Sequence, residues 1–298
     1  MVSFTNKYRE HPSKIVDRYL SRYDVEPNLG QNFLIDPSPI YTSIQASCDL
    51  GLSNDSHVLE IGPGPGVLSI ELLRLGSKVT ALEISQDACD FLESELNHEK
   101  FNLINEDALS TKWPDDITHI VANIPYGISS PILERIQDHH QSNPLDGISL
   151  LVQREFAHRM AMKSIPKDRG PLGIALWLDF ECEVISDVPS SSFRPQPDVA
   201  SSIVTLRPVS RTELQGVNRK LVRGISSWCF GRRRRKIRTS LRGFPRRMLK
   251  IGKWSSADWL QILNNLEEEG GDLRGSMDKR PEELTPEQWT SICRIIVR

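Results

Sequence analysis

The sequence predicts an α/β fold, in which helices cover a mostly parallel sheet, followed by a small all-α C-terminal domain. From about His57, short apolar segments alternate with helical stretches. Strands spaced by helices are typical of a parallel sheet that is covered on both faces. Around 207–216 this alternation stops, and an arginine-rich, helical region follows. We therefore predict an N-terminal extension at 1–29, the α/β domain at 30–212 and the helical domain at 213–298.

The predicted elements follow from the spacing of their apolar residues. The apolar run at 57–62 predicts a buried first strand, and the periodicity of 67–75 predicts the helix after it. The last strands follow one another with little room for a helix, so we expect an antiparallel pair at that edge. The other predicted strands are 78–84, 101–105, 119–122, 148–152, 174–184 and 201–206, with helices at 86–97, at 255–269 and after 284–286.

A glycine-rich turn follows the first strand, with the sequence Gly-Pro-Gly-Pro-Gly at 62–66. Gly62 and Gly64 let the backbone approach a ligand closely, and the helix that follows offers free N–H groups. A dinucleotide-binding fold has its third glycine one position later, where this chain has Val67. The observed spacing instead fits S-adenosylmethionine, a nucleoside without a pyrophosphate. A plain tight turn is the alternative interpretation.

Two carboxylates follow the next two predicted strands. Glu83 ends the second strand, 21 residues after Gly62, where it can accept hydrogen bonds from both ribose hydroxyls of a nucleoside. Asp107 follows the third strand and can accept a hydrogen bond from an adenine amino group. Taken alone, an aspartate in a loop is more often a turn or cap residue. In register with the glycine turn, the two carboxylates predict a site for S-adenosylmethionine.

The fourth predicted strand ends in Asn123-Ile124-Pro125-Tyr126, at the same edge of the sheet as the glycine turn. The exocyclic amine of adenine is a poor nucleophile because its lone pair is delocalised into the ring. The Asn123 side-chain oxygen and the Pro125 carbonyl can accept its two hydrogens and stabilise developing positive charge. Tyr126 offers a face for the base to stack on. Alone, this tetrapeptide could be a rigid turn with a core tyrosine.

At this point the chain resembles a known family, the ribosomal RNA adenine dimethyltransferases, which modify two adjacent adenosines near the 3′ end of small-subunit rRNA. The resemblance implies a Rossmann-like, S-adenosylmethionine-dependent methyltransferase domain and a role in small-subunit biogenesis. Residues 155–160 look most similar to archaeal members. The segments that carry the resemblance are GQNFLID at 30–36, the glycine turn, ANIPYGISSP at 122–131, VPSSSFRPQPDVASS at 188–202 and FGRRRRKIRTSL at 230–241.

The resemblance also implies roles for residues that their own surroundings do not reveal. Asn32 and Leu34 would contact the cofactor, and Phe193 would stack on the target adenine opposite Tyr126. Without the resemblance, 30–36 would be a turn before a helix and Phe193 a core aromatic. The cofactor-binding candidates are thus Asn32, Leu34, Gly62, Gly64, Glu83, Asp107 and Asn123, and the catalytic candidates are Asn123, Pro125, Tyr126 and Phe193.

Positive charge is concentrated in one stretch of the chain. The 298 residues carry a formal net charge of −2, yet 211–253 holds 15 Lys and Arg against the single acid Glu213. This concentration favours phosphate binding, although a charged run is often only a solvated surface. The RNA-binding candidates are Arg232, Arg233, Arg234, Arg235, Lys236 and Arg238, flanked by Arg242, Arg246, Arg247 and Lys250.

The composition also argues against a membrane protein and a zinc-binding protein. No apolar run approaches the roughly 20 residues that a membrane-spanning helix needs. The five cysteines lie far apart and lack the paired spacing of a zinc site. We therefore expect a cytoplasmic, monomeric protein that binds no metal and no membrane.

Three functions stay open on the sequence alone. The first is a dimethyltransferase for small-subunit rRNA, with the immature small ribosomal subunit as its partner. The second is an adenine methyltransferase for large-subunit rRNA or DNA, although DNA enzymes more often carry Asp-Pro-Pro-Tyr. The third is a non-enzymatic ribosome-assembly factor, which would be free to lose Glu83, Asp107 or Asn123, yet all three are present. We favour the first.

Overall fold

The computed structural model describes residues 10–164, 166–243, 254–268 and 272–297. The strands are β1 (Phe33–Leu34), β2 (His57–Ile61), β3 (Lys78–Glu83), β4 (Phe101–Asn105), β5 (His119–Asn123), β6 (Gly147–Gln153), β7 (Phe180–Val188), β8 (Phe193–Arg194) and β9 (Ser201–Pro208). The α-helices are α1 (Pro12–Leu20), α2 (Pro37–Cys48), α3 (Val67–Leu75), α4 (Gln86–Glu95), α5 (Ser129–Ser142), α6 (Arg154–Ala161), α7 (Pro171–Trp177), α8 (Arg219–Phe230), α9 (Ile237–Arg242), α10 (Ser256–Glu268), α11 (Asp272–Met277) and α12 (Pro286–Val297).

Seven strands form one mixed sheet in the order β4-β3-β2-β5-β6-β9-β7. The pairs β4-β3, β3-β2, β2-β5 and β5-β6 are parallel. β9 runs antiparallel to β6, with Ile148 opposite Leu206, so this end of the sheet is not purely parallel; the antiparallel pair expected between the last two strands stays a prediction. The chain order reverses between β2 and β5, and ligands of open α/β sheets bind outside the carboxyl ends of the strands at such a point. β1 and β8 form a separate antiparallel ribbon.

One predicted strand is wrong in its first half. The sequence interpretation placed a strand at 174–184, whereas the structure has helix α7 up to Trp177 and begins β7 at Phe180. Pro171 stands in the first turn of α7, directly after Gly170, and the fixed φ of proline suits that position in a helix. The apolar run that follows is buried on a short helix, and apolar content alone does not distinguish such a helix from a buried strand.

The chain divides into two compact units. The first comprises residues up to 157 together with Cys182–Pro208, and the second comprises His158–Glu181 together with residues from 209 onward. Each unit has its own hydrophobic core, which includes Phe91 in the first and Trp289 in the second. The domain boundary at 212/213 stays a prediction. Residues 158–181, which the sequence interpretation assigned to the α/β domain, group with the second unit.

Two features are absent from the described part of the chain, a membrane-spanning helix and a metal-binding cluster. None of its helices is long and apolar enough to cross a membrane. No group of three His, Cys, Asp or Glu side chains within it could hold a metal ion. All five cysteines are free thiols.

Candidate active site

A cavity of about 460 Å³ lies at the carboxyl ends of β2, β3 and β5. Its volume is in the range of pockets that hold cofactors. It brings together side chains as far apart in the sequence as Asn32 and Phe193. All predicted catalytic and cofactor-binding residues line it: Asn32, Leu34, Gly62, Gly64, Glu83, Asp107, Asn123, Pro125, Tyr126 and Phe193.

The glycine turn has a backbone conformation that requires glycine. Gly62 and Gly64 have φ values of 65° and 52°, in the left-handed region that residues with a Cβ rarely adopt. A Cβ on Gly64 would also lie 2.9 Å from the ring of Phe33. The Gly64 N–H donates to the Glu83 carboxylate at 3.0 Å. The turn is therefore fastened to the end of β3.

Glu83 lies at the end of β3 and is only 6% exposed. One carboxylate oxygen accepts the Gly64 N–H, and the other accepts the Ser85 N–H at 2.9 Å. Burial raises the pKa of this carboxyl, and the backbone hydrogen bonds oppose the rise. Because each carboxylate oxygen has two lone pairs, both oxygens keep capacity for a ribose hydroxyl.

The position of Asp107 fits both roles considered for it. Its Oδ1 accepts the Leu109 N–H at 2.8 Å, which is the bond of a turn-forming aspartate, and the residue also lines the cavity. Sequence reasoning missed Ile84, which follows Glu83 directly, lines the same cavity and is 54% exposed. Its signal was a large apolar residue immediately after the acid that ends a strand. Such a side chain offers an apolar surface for a planar base.

The ribbon of β1 and β8 joins predicted cofactor and acceptor residues. Leu34 stands opposite Phe193 in the ribbon, and both side chains are buried. Asn32 lies just before β1, and its side-chain amide donates to the Gly30 carbonyl at 3.0 Å. Phe193 belongs to the hydrophobic core and also lines the cavity. Its position therefore fits both a core aromatic and a stacking platform.

The acceptor tetrapeptide follows β5, with the half-buried Asn123 as the last residue of the strand. The Pro125 carbonyl accepts the Ile128 N–H at 3.1 Å and the Ser129 hydroxyl at 3.4 Å. A carbonyl oxygen has two lone pairs. An amine that donates to Pro125 would therefore replace the longer of these two bonds, the one from Ser129.

Tyr126 is held in place through its hydroxyl. It begins a short 3-10 turn, and its hydroxyl forms a hydrogen bond with that of Ser201 at 2.7 Å. Ser201 is fully buried, and burial raises the pKa of Tyr126. The phenol is therefore neutral, and its ring has a fixed orientation at the cavity. Sequence reasoning missed Ser201, whose only signal is a hydroxyl residue at the start of the last strand.

The predicted RNA-binding cations lie mainly in the turn between α8 and α9. Three of them have hydrogen-bond or ion-pair partners within the second unit. Arg233 donates to two backbone carbonyls at 166–167, each at 3.2 Å. Lys236 and Arg238 each lie 3.0 Å from the carboxylate of Asp278. These pairs fasten the turn to other loops of its own unit.

Arg234 and Arg235 differ from those three cations. Both are exposed, and neither side chain has a hydrogen bond or ion pair to any other described residue. The guanidinium of Arg232 lies 3.3 Å from the centre of the Trp228 ring. Of the flanking cations in the prediction, Arg246, Arg247 and Lys250 lie outside the described residues.

Comparison with known proteins identifies the family. Residues 23–265 match the family described as "Ribosomal RNA adenine dimethylase". A "Probable ribosomal RNA small subunit methyltransferase A" from the archaeon Methanopyrus kandleri is 32% identical, over 93% of this chain and 94% of that protein. A "Ribosomal RNA small subunit methyltransferase A" from Lactobacillus acidophilus is 31% identical, over 95% of this chain and 94% of that protein.

The solved structures agree with the fold described above. The crystal structure of a dimethyladenosine transferase from Plasmodium falciparum has a TM-score of 0.71 at 24% identity. The match covers 87% of this chain and 95% of that chain, and at this identity it shows the shared fold alone. Together with the family match, these findings confirm the resemblance inferred from the sequence. The chain belongs to the ribosomal RNA adenine dimethylase family, whose members are S-adenosylmethionine-dependent methyltransferases.

Proposed function

We propose that this protein dimethylates the exocyclic amines of two adjacent adenosines near the 3′ end of small-subunit rRNA. Its methyl donor is S-adenosylmethionine, and its partner is the immature small ribosomal subunit. The observation that carries the proposal is the single cavity lined by both the donor and the acceptor candidates. The names of the two relatives, which refer to the small ribosomal subunit, support this choice of acceptor.

The residues of the cavity fit S-adenosylmethionine. Glu83 is a buried carboxylate with spare acceptor capacity for the ribose hydroxyls. Asp107 would accept from the adenine amino group, and Ile84 would pack against the base. The glycine turn, Asn32 and Leu34 line the same cavity and would border the methionine part. When bound, S-adenosylmethionine supplies an electrophilic methyl group at its sulfonium.

The acceptor residues would prepare the adenine amine as a nucleophile. The Asn123 side-chain oxygen and the Pro125 carbonyl accept its two hydrogens, which favours a pyramidal nitrogen with an available lone pair. Tyr126, oriented by its hydrogen bond to Ser201, and Phe193 would hold the base between two aromatic faces. Alignment of this kind can supply about 7–11 kcal/mol of a reaction barrier.

The arginine turn between α8 and α9 would bind the RNA backbone. Arg234 and Arg235 are exposed and unpartnered among the described residues, so their guanidinium groups are available to phosphates. Contacts of this kind position the substrate without reading its sequence. Arg233, Lys236 and Arg238 would instead hold the turn through their pairs within the second unit.

Methyl transfer to purified acceptors tests this proposal. The protein is incubated with labelled S-adenosylmethionine and, in separate reactions, small subunits that lack the modification, large subunits and duplex DNA. We expect label in the small subunits alone. Label in large subunits or DNA instead would overturn the proposed acceptor. Binding to small subunits without any transfer would favour the ribosome-assembly factor.

A further inference from the structure

Helix α1 precedes the region of the chain that matches the family, which begins at residue 23. The helix starts with Pro12, and the His11 side chain accepts the Ser13 N–H at its N-terminus. Val16 and Tyr19 are fully buried and belong to the same hydrophobic core as the β1 residues of the cavity. A helix that precedes the residues matched by the family model is therefore part of the core around the candidate site.

Tyr19 packs on the aromatic residue that contacts the glycine turn. Its ring centre lies 5.2 Å from that of Phe33 and 5.3 Å from that of Phe91, both edge to face, a favourable geometry for aromatic pairs. The Phe33 ring in turn lies against Gly64, where a Cβ would approach it to 2.9 Å. Gly64 donates its N–H to Glu83. Direct contacts thus run from Tyr19 through Phe33 to the backbone of the proposed cofactor site.

Helix α1 also contacts α4, the helix that begins just after Glu83. Arg18 of α1 and Arg22, just after α1, lie 3.4 and 3.3 Å from the two carboxylate oxygens of Glu95. Ile15 and Arg18 line a small gap together with Pro65 of the glycine turn. The helix therefore borders the glycine turn on a second side, besides the contact through Phe33.

The ring of Tyr19, rather than its hydroxyl, makes these contacts. The hydroxyl is buried and has no hydrogen-bond partner among the described residues. Burial raises the pKa of Tyr19 to about 12, and the nearby side chain of Ser85 opposes this rise. The Ser85 hydroxyl itself donates to Glu26 at 2.5 Å. Phenylalanine should therefore serve as well as tyrosine at position 19.

We infer that helix α1 positions the glycine turn for S-adenosylmethionine and that Tyr19 is the positioning residue through which it acts. The inference rests on the proposed cofactor site. Without the Tyr19 ring, Phe33 loses the group that packs behind it and can move away from Gly64. The glycine turn then samples more conformations, and binding the donor must select one of them. Donor affinity falls, whereas turnover at saturating donor is kept.

Four variants of the full-length protein test this inference. Tyr19→Ala removes the ring, Tyr19→Leu keeps apolar bulk if the alanine variant fails to fold, and Tyr19→Phe keeps the ring without the hydroxyl. Lys14→Ala, at an exposed position of the same helix, is the matched control. Calorimetry gives the Kd for S-adenosylmethionine, and methyl transfer to small subunits gives KM for the donor and kcat. Thermal unfolding shows that each variant is folded at the temperature used.

We expect Tyr19→Ala and Tyr19→Leu to raise the Kd and KM for the donor by roughly tenfold with kcat nearly unchanged. Tyr19→Phe and Lys14→Ala should match the wild type. Unchanged donor affinity in a folded Tyr19→Leu would overturn the inference, as would a fall in kcat at constant KM. Glu83→Ala, measured alongside, distinguishes a failure of the inference about α1 from a failure of the proposed cofactor site. If it also binds the donor normally, the proposed cofactor site itself is wrong.

Discussion

Glu83 links two parts of the site, because the carboxylate expected to meet the ribose also accepts the Gly64 N–H. We expect Glu83→Ala to weaken S-adenosylmethionine binding by about 1.5–3 kcal/mol, the cost of losing a charged hydrogen-bond acceptor. Calorimetry on the folded variant measures this loss. Glu93→Ala, at an exposed position of α4, is the control. Unchanged affinity in Glu83→Ala would remove the ribose assignment.

Asn123 is expected to act on the acceptor amine more than on the donor. Its replacement by alanine removes one of two oxygens that would stabilise positive charge on the nitrogen. We expect turnover on small subunits to fall by roughly 10²–10³, with a smaller loss of donor affinity. Asn102→Ala, at an exposed position of β4, should keep wild-type turnover. Near-normal turnover in a folded Asn123→Ala would take this residue out of the mechanism.

Glu60 is a fully buried carboxyl on β2 that the proposed reaction does not use. Burial raises its pKa from 4.5 to about 8, although the Ser69 hydroxyl donates to it at 2.6 Å. A raised folded-state pKa means that the folded protein binds this proton more tightly than the unfolded chain does. The stability that this bound proton contributes is fully present below the pKa that Glu60 has in the unfolded chain. It is lost as pH rises through the pKa that Glu60 has in the folded protein.

Glu60→Gln keeps the neutral form of this side chain at every pH. We therefore expect the variant to gain stability relative to the wild type as pH rises from about 5 to 8. The gain should be at most about 1.4 kcal/mol per pH unit, the value for one proton. Urea denaturation at several pH values measures it. A difference between the two proteins that does not vary with pH would show that Glu60 ionises normally.

Helices and strands are predicted accurately where two different sequence signals occur together. β2, α3 and β3 each combine an apolar pattern with the glycine turn or a terminal acid, and their observed bounds agree with the prediction to within a residue. The strand predicted at 174–184 had only an apolar run in its favour. In that segment the proline at the start of α7 was the better guide.

The ion pairs of the arginine turn could not be predicted from the sequence. Asp278 and the carbonyls at 166–167 lie more than 40 residues from the turn in the chain, so only the folded unit brings them to it. The sequence identified a cluster of positive charge. In the structure, Arg233, Lys236 and Arg238 have hydrogen-bond or ion-pair partners, and Arg232 lies over the Trp228 ring. Arg234 and Arg235 have no partner among the described residues.

This separation gives a salt-dependence test for the arginine turn. We expect Arg234→Ser combined with Arg235→Ser to flatten the slope of log affinity for RNA against log salt by roughly one unit per phosphate contact removed. Lys14→Ser combined with Lys112→Ser removes the same charge from exposed positions of the first unit and should leave the slope unchanged. Identical slopes for all three proteins would support a solvated surface instead.

At the scale of the whole molecule, the candidate chemistry and the candidate RNA contacts lie in different compact units. The cavity belongs to the first unit and the arginine turn to the second. The sequence indicated this arrangement, because the glycine turn and the basic stretch lie in different halves of the chain. It could not indicate that 158–181 groups with the second unit, since that depends on packing between segments distant in sequence.

Some residues in and around the cavity could not be recognised from the sequence. Ser201 contacts the cavity only through Tyr126, whereas Ile84 lines the cavity itself, and a single serine or isoleucine carries no sequence pattern of its own. The sequence also did not reveal the contact between helix α1 and the glycine turn, because that contact passes through Phe33.

Mapping the methyl groups on small subunits is the direct test of the proposed dimethylation. Unmodified subunits are incubated with the protein and S-adenosylmethionine, the rRNA nucleosides are identified by mass spectrometry, and reverse transcription locates the modified bases. We expect N6,N6-dimethyladenosine at two adjacent adenosines near the 3′ end of the small-subunit rRNA, and only traces of it with Asn123→Ala after the same incubation time. Methyl groups on another base or at another position, or full modification by Asn123→Ala, would contradict the account.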